Sequence, residues 1–285
     1  MSAAPRGAAA YTAAGDRVFA ATGILPQIAP TDQIYLWSMT TPLAGGAFGA
    51  PTRATDLGAV YEKTITERLG LHLQGAWVRI DREDAGAAYG FENFSSELKY
   101  LAINDHGREL LLTLGLDREW GGTGARRIGE PDQGATEPRL YFGKGLGDLD
   151  IGYLRPFAVT GFVGYAISDG DPRPDLVKTG LAVQYSVPYL QSKVQSFDLP
   201  ALIRGLTPMT EVRFTIPAGH SFGARTTALV APGINFAGEG WEVVLEALVP
   251  ATRATGDGVG VRAQVHVSLD FLFPETVGRP LFPVR

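Results

Sequence analysis

The sequence predicts an all-β protein: a closed antiparallel transmembrane β-barrel of about twelve strands, preceded by a short N-terminal extension. Three observations point there. Apolar and polar residues alternate with period two in segment after segment, which is the pattern of strands and not of helices. The connections between segments are tight on one side and mostly longer on the other, as in outer-membrane barrels. The two faces of each segment also differ. One is varied and charged. The other is clean and apolar, with Trp77, Tyr165, Tyr185 and Trp241 near segment ends, where a membrane interface would receive them.

Residues 1–31 show no alternation and are read as an N-terminal extension, a tail or periplasmic extension in preference to a small plug. Residues 32–285 are read as the barrel. Its segments start near Gln33, Thr55, Leu69, Asn93, Glu109, Arg139, Phe157, Leu176, Thr210, Thr226, Trp241 and Val259. The second, fourth, sixth and tenth are less regular. In the third, Leu69, Leu71, Leu73 and Trp77 oppose His72 and Gln74. The fourth offers Glu97 and Lys99 to the polar face, and the fifth sets Leu110, Leu112, Leu114 and Leu116 against Thr113, Asp117 and Glu119. The eighth opposes Val177, Leu181, Val183 and Tyr185 to Lys178 and Gln184, and the ninth opposes Val212, Phe214 and Ile216 to Glu211 and Arg213. In the eleventh, Trp241, Val243, Leu245, Ala247 and Val249 oppose Glu242 and Glu246. The last, VGVRAQVHVSLDFLF, is apolar at every odd position from Val259 to Phe271, with Arg262, Gln264, His266 and Asp270 between. An even number of strands brings both ends of the barrel to one rim.

Periodicity alone does not say which face is inside. A soluble barrel hides the apolar face, and a membrane barrel turns it to lipid. The interfacial aromatics, the strand number and the mixed charge of the polar face favour lipid outside, with a polar lumen. Charges in a narrow lumen must be paired or hydrated, and Arg262 and Glu246 on neighbouring strands are one candidate pair. No apolar run is long enough for a transmembrane helix, and mean hydropathy is +0.03. Net charge is −5 without a basic run, so nucleic acid is not an expected partner. Zero Cys excludes disulfides and thiolate metal sites. The opening MSAAPRGAAAYTAAGDR lacks the apolar centre of a secretory signal, so an exported protein would have had its signal removed or its start placed too late.

Phrases within residues 55–282 add a resemblance. FENFSSELKYLAINDHGRELLLTLGLDREW (91–120), YFGKGLGDLDIGYLRPFAVTGFVGYAIS (141–168), QYSVPYLQS (184–192) and GVGVRAQVHVSLDFLFPETVGRPLF (258–282) are similar to bacterial outer-membrane barrels called uncharacterised transporters, of the phenol-degradation (MetA-pathway) type. The resemblance implies a barrel in the bacterial outer membrane, with solutes mostly unassigned. Such barrels commonly end on an aromatic residue, whereas here Phe282 is followed by ProValArg.

Other motifs read blandly. HisValSer (266–268) has the spacing of a base and a nucleophile found in outer-membrane phospholipase A. There the site faces lipid, whereas His266 and Ser268 fall on the polar face, so lumen lining is the reading and no catalytic residue is assigned. GlyLysGlyLeuGly (143–147) lacks phosphate-loop spacing and reads as a strand entering a turn. The four His, at 72, 106, 220 and 266, show no ligand spacing, and no metal or cofactor is expected. Residues 169–175 read as a Pro-stiffened solvated loop, and 188–208 as a connection holding a short amphipathic helix at the periplasmic rim.

The function expected is passive passage of a small solute, with apolar or aromatic solutes among the candidates. The lumen would be lined by His72, Gln74, Glu97, Lys99, Asp117, Glu119, Lys178, Gln184, Glu211, Arg213, Glu242, Glu246, Arg262, Gln264, His266 and Asp270. Expected partners are outer-membrane lipid and the solute, with another envelope protein as a further candidate. Rival readings are a non-transporting scaffold or sheath, an outer-membrane lipid hydrolase, and a soluble carbohydrate-binding β-protein.

Overall fold

A computed structural model describes residues 12–42, 52–82, 86–219 and 223–283. Its wall is built from β1 (Gln33–Thr40), β2 (Thr52–Thr64), β3 (Leu69–Arg82), β4 (Ser95–Asp105), β5 (Leu110–Glu119), β6 (Ala135–Gly145), β7 (Phe157–Ser168), β8 (Asp175–Tyr185), β9 (Leu206–Ala218), β10 (Thr227–Ala237), β11 (Trp241–Pro250) and β12 (Gly260–Ser268). Each strand pairs antiparallel with its neighbours in the chain. β12 closes on β1, in register from Ser268–Gln33 to Val261–Thr40. The result is a closed twelve-stranded barrel. A short strand, Gly86–Phe91, pairs antiparallel with the outer half of β3, and the pairing is interrupted at 92–94 before β4 starts.

The faces sort by parity. On β11 and β12, Leu245 and Val265 are 47% and 45% exposed, while Glu246 and Gln264 are 3% and 1% exposed. Leu98, Leu114, Leu116, Val163, Leu181 and Val183 likewise face out, and Glu97, Thr113 and Gln184 face in. The aqueous arrangement, with apolar residues gathered inside, is therefore inverted in the wall. Such an outward apolar band needs acyl chains around it.

The tight connections, 65–68, 106–109 and 238–240, lie on one rim, here called the inner rim. Two longer connections share it. One is 146–156. The other is 186–205, which contains helical turns at Val187–Tyr189, Leu190–Val194 and Ala201–Arg204. One expectation is corrected at the C-terminal end. The alternation through Phe271 does not continue as strand. The Ser268 hydroxyl accepts the Phe271 amide at 3.2 Å and starts a helical turn at Leu269–Leu272. Asp270 consequently leaves the lumen face and sits on this turn, taking a hydrogen bond from Ser268. His220 and most of the 42–49 loop lie outside the described residues.

Residues 12–32 run inside the barrel. Phe19, Ile24, Leu25 and Ile28 pack with Leu111, Tyr141, Phe162 and Leu248 of the inner wall as one buried cluster. The preferred reading of this stretch as a tail or periplasmic extension gives way to that of an internal plug for the described part. The reason is physical: the wall leaves holes that the segment fills. A Cβ placed on Gly143 would lie 2.5 Å from Ile28 Cδ1, and one on Gly180 would collide with Leu25.

Candidate functional site: a charged vestibule above an internal plug

The plug is held mainly through its backbone. Glu211 accepts the amides of Gly23, Ile24 and Leu25 at 2.8–3.0 Å. Glu242 accepts the Ala21 amide at 2.9 Å. Gln184 bonds both the amide and the carbonyl of Ala20, and Gln264 donates to the Thr22 carbonyl at 3.0 Å. Lys99 donates to the Gln27 carbonyl at 3.0 Å. At the inner rim, fully buried Arg17 pairs with Glu109 at 3.0 Å and lies 3.8 Å from the Tyr189 ring centroid. These contacts pin the segment in the inner half of the lumen.

A ladder of ion pairs crosses the wall from β2 to β8. His72 Nδ1 meets Glu62 at 2.9 Å, and Lys99 reaches Glu62 at 3.1 Å and Glu97 at 3.8 Å. Arg139 touches three carboxylates: Glu97 at 3.4 Å, Asp117 at 3.0 Å and Glu137 at 2.8 Å. Lys178 closes on Glu137 at 2.8 Å. Three of these contacts span an intervening strand: Lys99–Glu62 over β3, Arg139–Glu97 over β5 and Lys178–Glu137 over β7. Over β5 and β7 the way is opened by glycine on the inner face. A Cβ on Gly115 would strike Glu97, and a Cβ on Gly164 would strike Glu137.

Above the plug remains a cavity of about 390 Å³. Its floor is Gly23–Pro26. Its walls carry Tyr35, Trp37 and Phe162 together with the ladder, and Glu92, Asn93, Glu130, Pro131 and Arg173 frame the outer rim. Asn93 fastens the 120–134 loop there, donating to the Pro131 carbonyl at 2.9 Å and accepting the Gly124 amide at 2.8 Å. Burial pushes Glu92 up to about 7, helped by the charges of Asp56, Glu130 and Glu119. Burial also raises Glu130. The folded protein therefore binds a proton at Glu92 more tightly than the unfolded chain, whose glutamate titrates near 4.5. On this account stability falls as pH rises from about 4.5 to 7. Glu92→Gln is expected to flatten that part of the curve of urea midpoint against pH.

No protein-family model matches the sequence, and no curated protein matches it. Solved structures do. The KdgM porin is 10% identical with a TM-score of 0.50, covering 83% of this chain and 98% of its own. The COG4313 outer membrane channel from Pseudomonas putida F1 is 14% identical with a TM-score of 0.50, covering 86% of this chain and 97% of its own. The chain has the fold of an outer-membrane β-barrel. At these identities the likeness concerns the fold.

Of the sixteen residues expected to line the lumen, His72, Gln74, Glu97, Asp117, Glu119, Lys178, Arg213, Arg262 and Gln264 line the vestibule. Gln184, Glu211, Glu242 and Lys99 bond the plug, and Glu246 abuts Gly23. His266 stacks on Tyr35 at 4.5 Å and bonds Gln33 and Gln264. Asp270 lies apart, as noted. Glu246 and Arg262 are direct cross-strand neighbours, yet no ion pair forms between them. Arg262 instead gives its Nε and one terminal nitrogen to Gln264 and lies 5.2 Å from the Trp37 ring centroid. His266 and Ser268 both point inward and do not bond each other; the Ser268 hydroxyl is committed to Asp270. A lipid-facing hydrolase site is not formed by this pair.

Sequence reasoning missed Glu62, Glu137, Arg139 and Tyr141, the centre of the ladder. Their signal was present. Glu137, Arg139 and Tyr141 alternate with Pro138, Leu140 and Phe142, but the proline interrupts the apolar stripe. Tyr35 and Trp37 were missed because β1 is apolar on both faces, so parity is invisible.

Proposed function

We propose that this protein is an outer-membrane channel for a small solute, with a narrow polar lumen that its own N-terminal segment closes. The observation that carries this reading is the vestibule. It is framed by the outer-rim loops, lined by charged and aromatic side chains, and floored by a segment bound mostly through hydrogen bonds to its main chain. Such a floor can leave without breaking the wall, because β12 and β1 close the barrel beyond Asp32. The apolar exterior supports a place in the outer membrane. The phrase-level resemblance supports the finer assignment to the phenol-degradation type, and Tyr35, Trp37 and Phe162 are compatible with a flat solute.

The test uses Gly23, where any side chain would collide with Glu246. The full chain in planar bilayers should conduct weakly and intermittently. Gly23→Val should conduct more often and for longer, and should admit small solutes into liposomes. A filled lumen favours a second reading, a non-conducting scaffold. Silent bilayers for both forms, with correctly folded protein, would establish it instead.

A further inference from the structure

Five cationic side chains line the vestibule: Arg139, Arg173, Lys178, Arg213 and Arg262. Three have carboxylate partners. Arg139 and Lys178 belong to the ladder, and Arg173 pairs with Glu119 at 2.5 Å. Among the described residues the other two have none, and the Arg213 guanidinium makes a single hydrogen bond, to the Ile24 carbonyl at 3.3 Å. Arg262 bonds only Gln264 and the Met39 sulfur. A guanidinium carries five N–H donors, so most of those on Arg213 remain unassigned beside the cavity. Arg262 and Arg213 lie within electrostatic reach of each other.

The acids do not balance this pair directly. Glu97, Asp117 and Glu119 are committed to Arg139 and Arg173. Glu211 is occupied by three plug amides. Glu137 and Glu211 act on Arg213, and Asp56, Glu211 and Glu246 on Arg262, through space without reaching ion-pair distance. The remaining vestibule acids, Glu92 and Glu130, stand at the outer rim and not at the floor. The floor therefore offers two planar cations beside the rings of Tyr35, Trp37 and Phe162. The volume lies at the small end of known ligand pockets, which run from about 300 to 1,000 Å³.

From this arrangement we infer that the vestibule binds a small organic anion, a carboxylate on a flat apolar body, with the carboxylate between Arg213 and Arg262 and the body against the aromatic wall. Guanidinium matches carboxylate in shape and donor spacing. Two like charges on one cavity also gain when an anion enters it. The inference deepens the channel reading by naming its solute class, and it rests on the vestibule being where that solute is received.

The experiment is calorimetric titration of the detergent-solubilised full chain with benzoate, benzamide and benzylammonium, which share one ring and differ in charge. Benzoate should bind at one site. Benzamide should bind about tenfold more weakly or worse, the scale of a lost charge-assisted hydrogen bond, and benzylammonium should not bind. Arg213→Gln and Arg262→Gln should each weaken benzoate to a similar degree, while Arg213→Lys and Arg262→Lys retain part of the affinity. Mobility of unheated protein on gels confirms that each variant is folded, and Arg108→Gln on the exposed 106–109 turn should leave binding unchanged. Equal binding of benzoate and benzamide, or full benzoate affinity in both glutamine variants, would overturn the inference. Benzoate binding with silent bilayers would uphold the site and remove the channel. Conductance without benzoate binding would do the reverse.

Discussion

A disulfide between residues 28 and 143 will hold the barrel shut. Ile28 lies on the plug and Gly143 on the inner face of β6, and Ile28 Cδ1 is 2.5 Å from where a Gly143 Cβ would stand. Two carbon–carbon bonds separate that Cδ1 from Ile28 Cβ. A cysteine pair here therefore brings its Cβ atoms within about 5 Å, close to the ~3.5–4.5 Å a disulfide spans. The other close neighbour, Phe19, is a side chain and can yield. The chain has no cysteine of its own, so the pair can form only one bond. Oxidised Ile28→Cys/Gly143→Cys protein should show no conductance, and reduction should restore the level of the full chain. Combined with Gly23→Val, the same bond should suppress the openings which that substitution causes. Persistent conductance in fully oxidised protein would mean that solute passes by a route the plug does not block.

Arg139→Met is expected to be the most damaging single change in the wall. Arg139 touches Glu97, Asp117 and Glu137, and its own side chain is 14% exposed. Removing it leaves three inward carboxylates with fewer countercharges, and Glu97 then depends on Lys99 and the Tyr141 hydroxyl. Deleting one partner of a buried ion pair costs about 3–5 kcal/mol, because the abandoned charge stays desolvated. The unfolding midpoint in urea should fall accordingly, with barrel unfolding followed on unheated gels. Adding Glu137→Gln and Glu97→Gln should recover part of the loss. A loss of unfolding free energy below about 1 kcal/mol, the range of a surface pair, would show that water in the vestibule already screens the ladder.

The wall was legible because lipid and lumen impose opposite demands on alternate residues. β1, β3, β7 and β11 begin at Gln33, Leu69, Phe157 and Trp241, where the alternation places them. β2, β6 and β9 begin three, four and four residues before the expected positions, at Thr52, Ala135 and Leu206. Thr52–Thr55 and Ala135–Pro138 lack a continuous apolar stripe, so nothing in the period marks where pairing starts. The plug was illegible for a different reason. It forms no ladder with the wall, and its bonds run from its amides to Glu211 and Glu242. A trace of it does lie in the wall sequence: Glu211, Glu242 and Glu246 turn three acids inward on β9 and β11, with Arg213 on β9 and Arg262 on β12 as the bases beside them. Acids buried without matching bases need donors from elsewhere.

The way Glu211 and Glu242 hold the plug has a bearing on which sequences the protein can tolerate. Amides present the same donor whatever side chain follows, so exchange at Ala20, Ala21 and Ile24 leaves those bonds chemically unaltered. Gly23 is the exception, since the carboxylate of Glu246 takes the volume any substituent would need. The segment is thereby fastened by main-chain bonds along Ala20–Leu25, by shape at Gly23, Leu25 and Ile28, and by the Arg17–Glu109 pair, so that tolerance to exchange is confined to the few side chains that none of these contacts uses.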